Sequence, residues 1–344
     1  MRHVPALDGL RALAATAVVL FHANVPGFRG GYVGVDIFFV LSGFLITSGL
    51  LQQLANGGIG YQDFYRNRLL RLYPALAFML LVYAAAAPGL VPTSPVAADV
   101  AITASYLTGY ALDLFGRFPL YLSHAWSLCT EQLFYLIWPP TLALLYRRYP
   151  GERLLVVLIA LTVIAGAWRW AWLNGGAAWE AVYHRPDTRA SGLLWGGVLA
   201  VALRLERPSQ WLDRHRDALH LIPLVALLVA TSYRWPPGST LKTGLLLPEL
   251  GTVALLLPLL QPVTWISRVL SWAPLVWLGQ ISYVIYLWHF PIVRYLVDHV
   301  SWKTNLLVSI PLTIGLAALS HYTVERAALK HRKRRAEGSA PLAT

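Results

Sequence analysis

The chain has 344 residues, 57% apolar and 13% charged, with a formal net charge of +12 and a mean hydropathy of +0.54. A charged share about half that of an ordinary soluble domain excludes a water-exposed globule, and the basic residues fall in short runs between apolar segments, which is membrane topology rather than a nucleic-acid face. A lone cysteine, Cys129, excludes an internal disulfide or a cysteine zinc cluster, and no metal is expected.

A helix needs about 20 apolar residues to cross a bilayer. Such stretches lie at 7–25, 32–53, 69–87, 126–146, 153–173, 190–205, 219–233, 241–261, 275–297 and 303–323. The first is retained rather than cleaved, because Arg11 interrupts it and no small-x-small site follows. Residues 98–116 are apolar but dotted with Thr, Ser and Asp. Counting them as a crossing would put the basic run "KHRKRR" outside, against the positive-inside bias of Arg66, Arg68, Arg71, Arg204, Arg207, Arg214 and Arg216. Residues 88–125 are therefore expected to be an extracytoplasmic or re-entrant segment. The expected fold is all-α, a polytopic membrane bundle of about ten transmembrane helices with cytoplasmic N- and C-termini. It forms one membrane domain, 1–326, followed by a basic cytoplasmic tail, 327–344, attracted to anionic lipid. The bilayer is the expected partner, nucleic acid is not.

Ionisable residues inside such segments point to function. Arg11 and His22 on the first helix are eleven residues apart, about 20° in azimuth and about 16 Å in rise, so they share a face. Asp8 lies one turn before Arg11, able to cap the helix or pair with it. Asp36, in "GGYVGVDIFFVLSGF", enters the second span at the depth of His22. It is expected to orient that imidazole, as buried carboxylates do, with a local pair to Arg29 as the bland alternative. Span 4 brings His124, Ser127 and Glu131, and span 9 brings His289; Glu131 is expected to hold an acceptor or assist proton transfer. "RNRLLRLYP" places Arg66, Arg68 and Arg71 at the entrance of span 3, a cationic cluster suited to phosphates. Cys129 reads as packing, Glu325 as a local pair with Arg326 or Lys330, and Trp126, Trp138 and Trp172 as interface anchors.

With these motifs in order, the chain resembles the acyltransferase-3 family of membrane O-acyltransferases over nearly its whole length. The resemblance is carried by "LDGLRALA" with His22 eleven residues after Arg11, "GGYVGVDIFFVLSGFLI", "YRNRLLRLYP", "HAWSLCTEQLFY", "TRASGLLWG" and "LGQISYVIYLWHFPI". It implies essential roles for Arg11 and His22, and acyl-CoA use through Arg68 and Arg71. It further implies acyl transfer, acetyl by default, from cytoplasmic acyl-CoA to a hydroxyl of a cell-envelope or exported carbohydrate. A secondary metabolite such as a macrolide is the alternative acceptor, and a separate extracytoplasmic transferase a potential partner. The expected location is a bacterial cytoplasmic membrane. A secondary transporter is the competitor from another class, although no repeated pair of interrupted spans supports it. The expected catalytic set is His22, Asp36 and Glu131. Arg11, Arg66, Arg68 and Arg71 are expected on the donor, with His124, Ser127, Arg189 and His289 in support. Three positions depart from the family pattern: Ser191 stands where Arg189 would have an acid two residues on, Glu325-Arg326-Ala327 lacks a proline, and Leu133 replaces a position often polar.

Overall fold

A computed structural model describes residues 3–205, 221–238, 240–260 and 264–328. Arg207, Arg214, Arg216 and the basic run that starts at Lys330 lie outside the described residues. The described part is helical, and no strand occurs among the described residues. In chain order the helices are α1 (Pro5–His22), α2 (Gly34–Ala55), α3 (Tyr61–Leu90), α4 (Val96–Ala104), α5 (Ala111–Phe115), α6 (Trp126–Arg148), α7 (Glu152–Asn174) and α8 (Trp179–His184). There follow α9 (Pro186–Arg189), α10 (Ser191–Leu205), α11 (Leu221–Thr231), α12 (Leu246–Leu259), α13 (Trp265–Leu270), α14 (Ala273–Gln280), α15 (Ser282–Val297) and α16 (Trp302–Ser320).

Within the described residues the stretches expected to cross are largely helical, yet fewer of them meet the physical demand of a crossing. Among the described residues five helical segments are long and apolar enough: Gly31–Ala55, Tyr61–Leu90, Glu152–Asn174, Thr240–Leu259 and Trp302–Ala328. The expected single span 275–297 is two helices, α14 and α15, bent by 71° between Gln280 and Ser282; counted together they make a sixth. α10 and α11 are apolar but only 15 and 11 residues long. The 88–125 excursion contains no helix longer than the nine residues of α4. It is tied to itself by buried Asp99, which accepts from Ser94 Oγ at 3.0 Å and pairs with Arg117.

Local sequence explains where elements start and bend. Pro5 opens α1 at a position where its missing N–H costs nothing. Inside helices, prolines release carbonyls that other groups then use. Pro140 in α6 leaves the Leu136 carbonyl free, and Tyr65 of α3 donates to it at 3.0 Å.

Lipid offers little hydrophobic drive between helices, so close packing through small residues does the work. α2 sits centrally, against α1, α6, α10 and α12. It crosses α10 at Gly43 and Gly196, where a Cβ would fall 1.9 Å from the Leu193 carbonyl oxygen and 2.1 Å from that of Val40. α1 packs on α14 in the same way, since a Cβ on Gly279 would lie 1.9 Å from the Asp8 carbonyl oxygen. α1, which carries Arg11 and His22, also packs against α2 and α15.

Candidate active site

Three cavities follow one another through the centre of the bundle. A surface recess of about 440 Å³ is lined by Gln53, Asp63, Asn67, Arg68 and Arg71 among others. Arg68 and Arg71 also line an inner cavity of about 120 Å³, together with Arg11, Ser42, Glu131 and Tyr135. Val35 and Tyr286 form part of that cavity and of a third, about 260 Å³ in volume, which holds His22 and His124. Arginines thus stand at one end of the series and histidines at the other.

In the arginine chamber, α3 presents Arg68 and Arg71 from one face, and α1 presents Arg11. Arg68 lies 5.2 Å from the ring centre of Tyr135, within cation–π range. Among the described residues neither Arg68 nor Arg71 has an ion pair, so both keep donors for an anion. Arg11 reaches only the weak end of a pair with Asp8, at 4.0 Å, and Asp8 is held more closely by His3, at 2.6 Å. Glu131 accepts from Ser42 Oγ at 2.7 Å. It therefore stands with the arginines and not beside His22, where it was expected to assist proton transfer. Arg66 is corrected as well: it pairs at 2.7 Å with Asp63, which lines the recess, and itself lines none of the three cavities.

The histidine chamber is lined by His22 from α1 and His124 from the turn before α6, and His289 of α15 is buried against His22. His22 Nδ1 lies 3.0 Å from His289 Nε2. His289, fully buried, has its Nδ1 2.7 Å from the Tyr286 carbonyl and 3.2 Å from that of Ile285. His124 stacks on Phe290, with ring centres 4.8 Å apart. Neither of its ring nitrogens makes a well-formed hydrogen bond, and the Leu287 carbonyl that Pro291 releases faces it. Tyr286 Oη, on the partition between chambers, donates to the His124 carbonyl at 2.7 Å and receives the Ser127 hydroxyl at 2.7 Å. Phe21, Tyr32, Trp126, Tyr183 and Trp235 supply aromatic walls.

Asp36 does not orient His22, and it does not pair with Arg29. Its Oδ1 accepts from Arg189 Nη2 at 2.7 Å, both side chains being fully buried. The reason is geometric: α2 turns Asp36 towards α9, which ends in Arg189. Arg189 stacks in turn on Tyr183 and Trp126, at 4.6 and 5.0 Å from their ring centres. Beside this pair Arg169 donates to Ser191 Oγ at 2.9 Å, Ser191 donates to Glu249 Oε1 at 2.6 Å, and Arg169 and Glu249 are 3.8 Å apart. Two guanidiniums and two carboxylates balance behind the chamber wall. Ser191, which departs from the family's acid, here links a carboxylate from α12 into the network.

Sequence reasoning missed Arg169, Glu249 and His184. The first two carried a signal, since each is an ionisable residue inside an apolar run. His184, between the spans, lines the histidine chamber and donates Nδ1–H to the Glu180 carbonyl at 2.6 Å. Burial, aided by the nearby Arg189 charge, pulls this imidazole down to about 4, so it is neutral at physiological pH. Trp126 and Trp138 are buried inside the bundle rather than anchored at an interface; Trp138 donates to Thr47 at 2.9 Å. Glu325 pairs with His321 at 2.5 Å rather than with Arg326, and Lys330 lies outside the described residues. Cys129 is buried against Gly109 and lines none of the three cavities. Among the described residues no group of three His, Cys, Asp or Glu side chains is arranged to hold a metal.

A helical bundle whose apolar helices enclose arginine and histidine chambers in series defines a membrane-embedded protein with a polar interior site. The chain belongs to the acyltransferase-3 family, whose acyltransferase domain matches residues 4–322. It is 33% identical over 310 residues to the peptidoglycan O-acetyltransferase OatA of Listeria monocytogenes, covering 85% of this chain and 50% of that protein. It is 32% identical over 351 residues to the putative peptidoglycan O-acetyltransferase YrhL of Bacillus subtilis, covering 94% and 55%. A putative O-acetyltransferase of Staphylococcus aureus strain COL is 31% identical over 353 residues, covering 94% and 57%. The chain thus spans about half the length of these relatives. No solved structure matches it.

Proposed function

We propose that this chain moves an acetyl group from acyl-CoA on the cytoplasmic side to a hydroxyl of a cell-envelope carbohydrate, the acceptor class named for its relatives. The observation that carries the reading is the series of cavities, with unpaired Arg68 and Arg71 at one end and His22 at the other. The donor's phosphates bind Arg68 and Arg71 in the open recess, where guanidiniums offer charge and paired donors. Its pantetheine arm lies along the inner cavity past Arg11, Glu131 and Ser42, and the thioester reaches the partition at Val35 and Tyr286. The carbohydrate enters the histidine chamber from the extracytoplasmic side and sets its apolar face against aromatic rings.

His22 acts as general base. Its Nε2 takes the acceptor's proton as the hydroxyl oxygen bonds to the thioester carbonyl carbon. The tetrahedral intermediate collapses, the carbon–sulfur bond breaks, and the thiolate leaves with the proton returned by His22. The products are an ester and a free thiol. His124, with unfilled ring nitrogens in the chamber, holds the acceptor; Asp36 acts at a distance, through the wall that Arg189 forms with Tyr183 and Trp126.

The test uses the full chain in lipid nanodiscs, radiolabelled acetyl-CoA and a soluble peptidoglycan glycan fragment, with no second protein. The expected result is label on the glycan, and a loss of about 10²–10⁴-fold in kcat for His22→Ala, the usual worth of a positioned base. Undiminished transfer by a folded His22→Ala protein overturns the mechanism. Label that reaches the glycan only after a separate transferase is added assigns this chain the donor half alone.

A further inference from the structure

We infer that His289 is a positioning residue that fixes the tautomer of His22 and leaves its Nε2 as the bare, basic nitrogen facing the chamber. The inference rests on the acyl-transfer reading above and adds to it the group that prepares the base.

The argument runs outward from a peptide carbonyl. The oxygens of Tyr286 and Ile285, at 2.7 and 3.2 Å from His289 Nδ1, can only accept, so Nδ1 carries a hydrogen. His289 has no exposed surface, and among the described residues no carboxylate is paired with it, so a second proton would leave a buried, unpaired charge. Its Nε2 is then a lone pair. That lone pair faces His22 Nδ1 at 3.0 Å, which obliges His22 to carry its hydrogen on Nδ1. Ring orientation agrees: the planes differ by 26° and the centres are 5.2 Å apart, the hydrogen-bond length plus a ring radius at each end. The rings meet edge to edge, and the bond lies in both planes. His22 Nε2 makes no hydrogen bond within the described residues, and His22 lines the cavity.

A carboxylate is the usual partner for such a base. In an apolar bundle it would have to be desolvated together with the base, which opposes burying its charge. A neutral imidazole sets the same tautomer without placing a standing charge beside the acyl group. Two carbonyls of α15 make this work, because they belong to the turn directly before His289 and hold its ring in register with α1. When His22 takes the acceptor's proton on Nε2, the new charge is shared through Nδ1–H to His289. When that proton goes to the departing thiolate, the pair returns to its starting tautomers, so no proton is gained or lost by the relay.

The test compares His22→Ala, His289→Leu and His289→Gln in the nanodisc assay. A side-chain carbonyl at position 289 can still accept from His22 Nδ1–H, whereas leucine cannot. The expected result is a fall in kcat of about 10–100-fold for His289→Leu, the value of a hydrogen bond to a group that becomes charged. KM for acetyl-CoA is expected to be unchanged, with most of the rate recovered in His289→Gln. If His22→Ala is inactive while a folded His289→Leu protein keeps full kcat, the positioning role is wrong and the base stands. If His22→Ala is active, the base itself is wrong. A second measurement needs no variant to fold at position 289. ¹⁵N-histidine spectra of the wild-type protein, with the His22 signal assigned by its loss in His22→Ala, should show Nδ1 protonated and Nε2 not. The opposite tautomer overturns the inference.

Discussion

The arginine and histidine chambers share a wall, yet they are built on opposite principles. The arginine chamber keeps its charged groups loose: Arg68 rests on aromatic faces, Arg71 has no ion pair among the described residues, and Arg11 is 4.0 Å from its carboxylate. The histidine chamber leaves little freedom to its central ring, which is hydrogen-bonded through His289 to the backbone of α15. Unpaired guanidiniums on flexible stems suit a polyanion that must arrive and leave. A fixed tautomer suits proton transfer, where the direction of a lone pair decides the rate. The difference teaches that burial alone does not define a site. What separates binding from chemistry here is whether the polar atoms are held by the chain or left for a ligand.

The wall behind the histidine chamber gives the largest way to break this contrast. Asp36 and Arg189 are fully buried and 2.7 Å apart. Removing one partner strands the other in a site that excludes water, which typically costs about 3–5 kcal/mol. Asp36→Ala is therefore expected to lower the thermal unfolding midpoint in detergent sharply. The double change Asp36→Asn with Arg189→Gln should recover a large part of the loss, because no charge remains unpaired. A midpoint unmoved by Asp36→Ala would show that the pair does not hold the wall. On the other side of the partition the expected effect is smaller and of a different kind. Arg68→Ala and Arg71→Ala should each raise KM for acetyl-CoA by about 10–100-fold, the value of a charge-assisted contact, and leave kcat nearly intact. Unchanged donor kinetics would remove phosphate binding from the arginine chamber.

Much of this arrangement was legible in the sequence, in one coordinate. Hydropathy sets depth, so the all-helical architecture and the apolar stretches could be read, and Arg11 and His22 could be placed on one face of α1 three turns apart. Azimuth between helices could not be read. Asp36 is expected at the depth of His22 and beside it, but its side chain pairs with Arg189, 153 residues away in sequence. His289 became the partner of His22 because α15 is bent 71° from α14, and the run of apolar residues through 275–297 conceals that break. Glu131 lines the arginine chamber, where it accepts from Ser42. Arg169 and Glu249 show the same gap, since each looks like a stray charge until the other helix arrives.

Arg66 provides the smallest effect and the sharpest control, because helical phase alone separates it from its neighbours. Along α3, residues 68 and 71 are three apart and about 60° from one another in azimuth, whereas 66 and 68 differ by about 160°. The motif that reads as one cluster of three arginines is thus two arginines on the chamber side and one on the far side. Arg66 pairs with Asp63 where their side chains are 42% and 70% exposed, and such exposed pairs contribute little. Arg66→Ala should accordingly leave KM for acetyl-CoA, kcat and the unfolding midpoint where they are, within about twofold for the kinetic constants. A tenfold rise in donor KM for Arg66→Ala, comparable with that for Arg71→Ala, would mean that the net positive charge of this segment matters and its direction does not. The contrast between loose, directed guanidiniums and a fixed imidazole would then lose its first half.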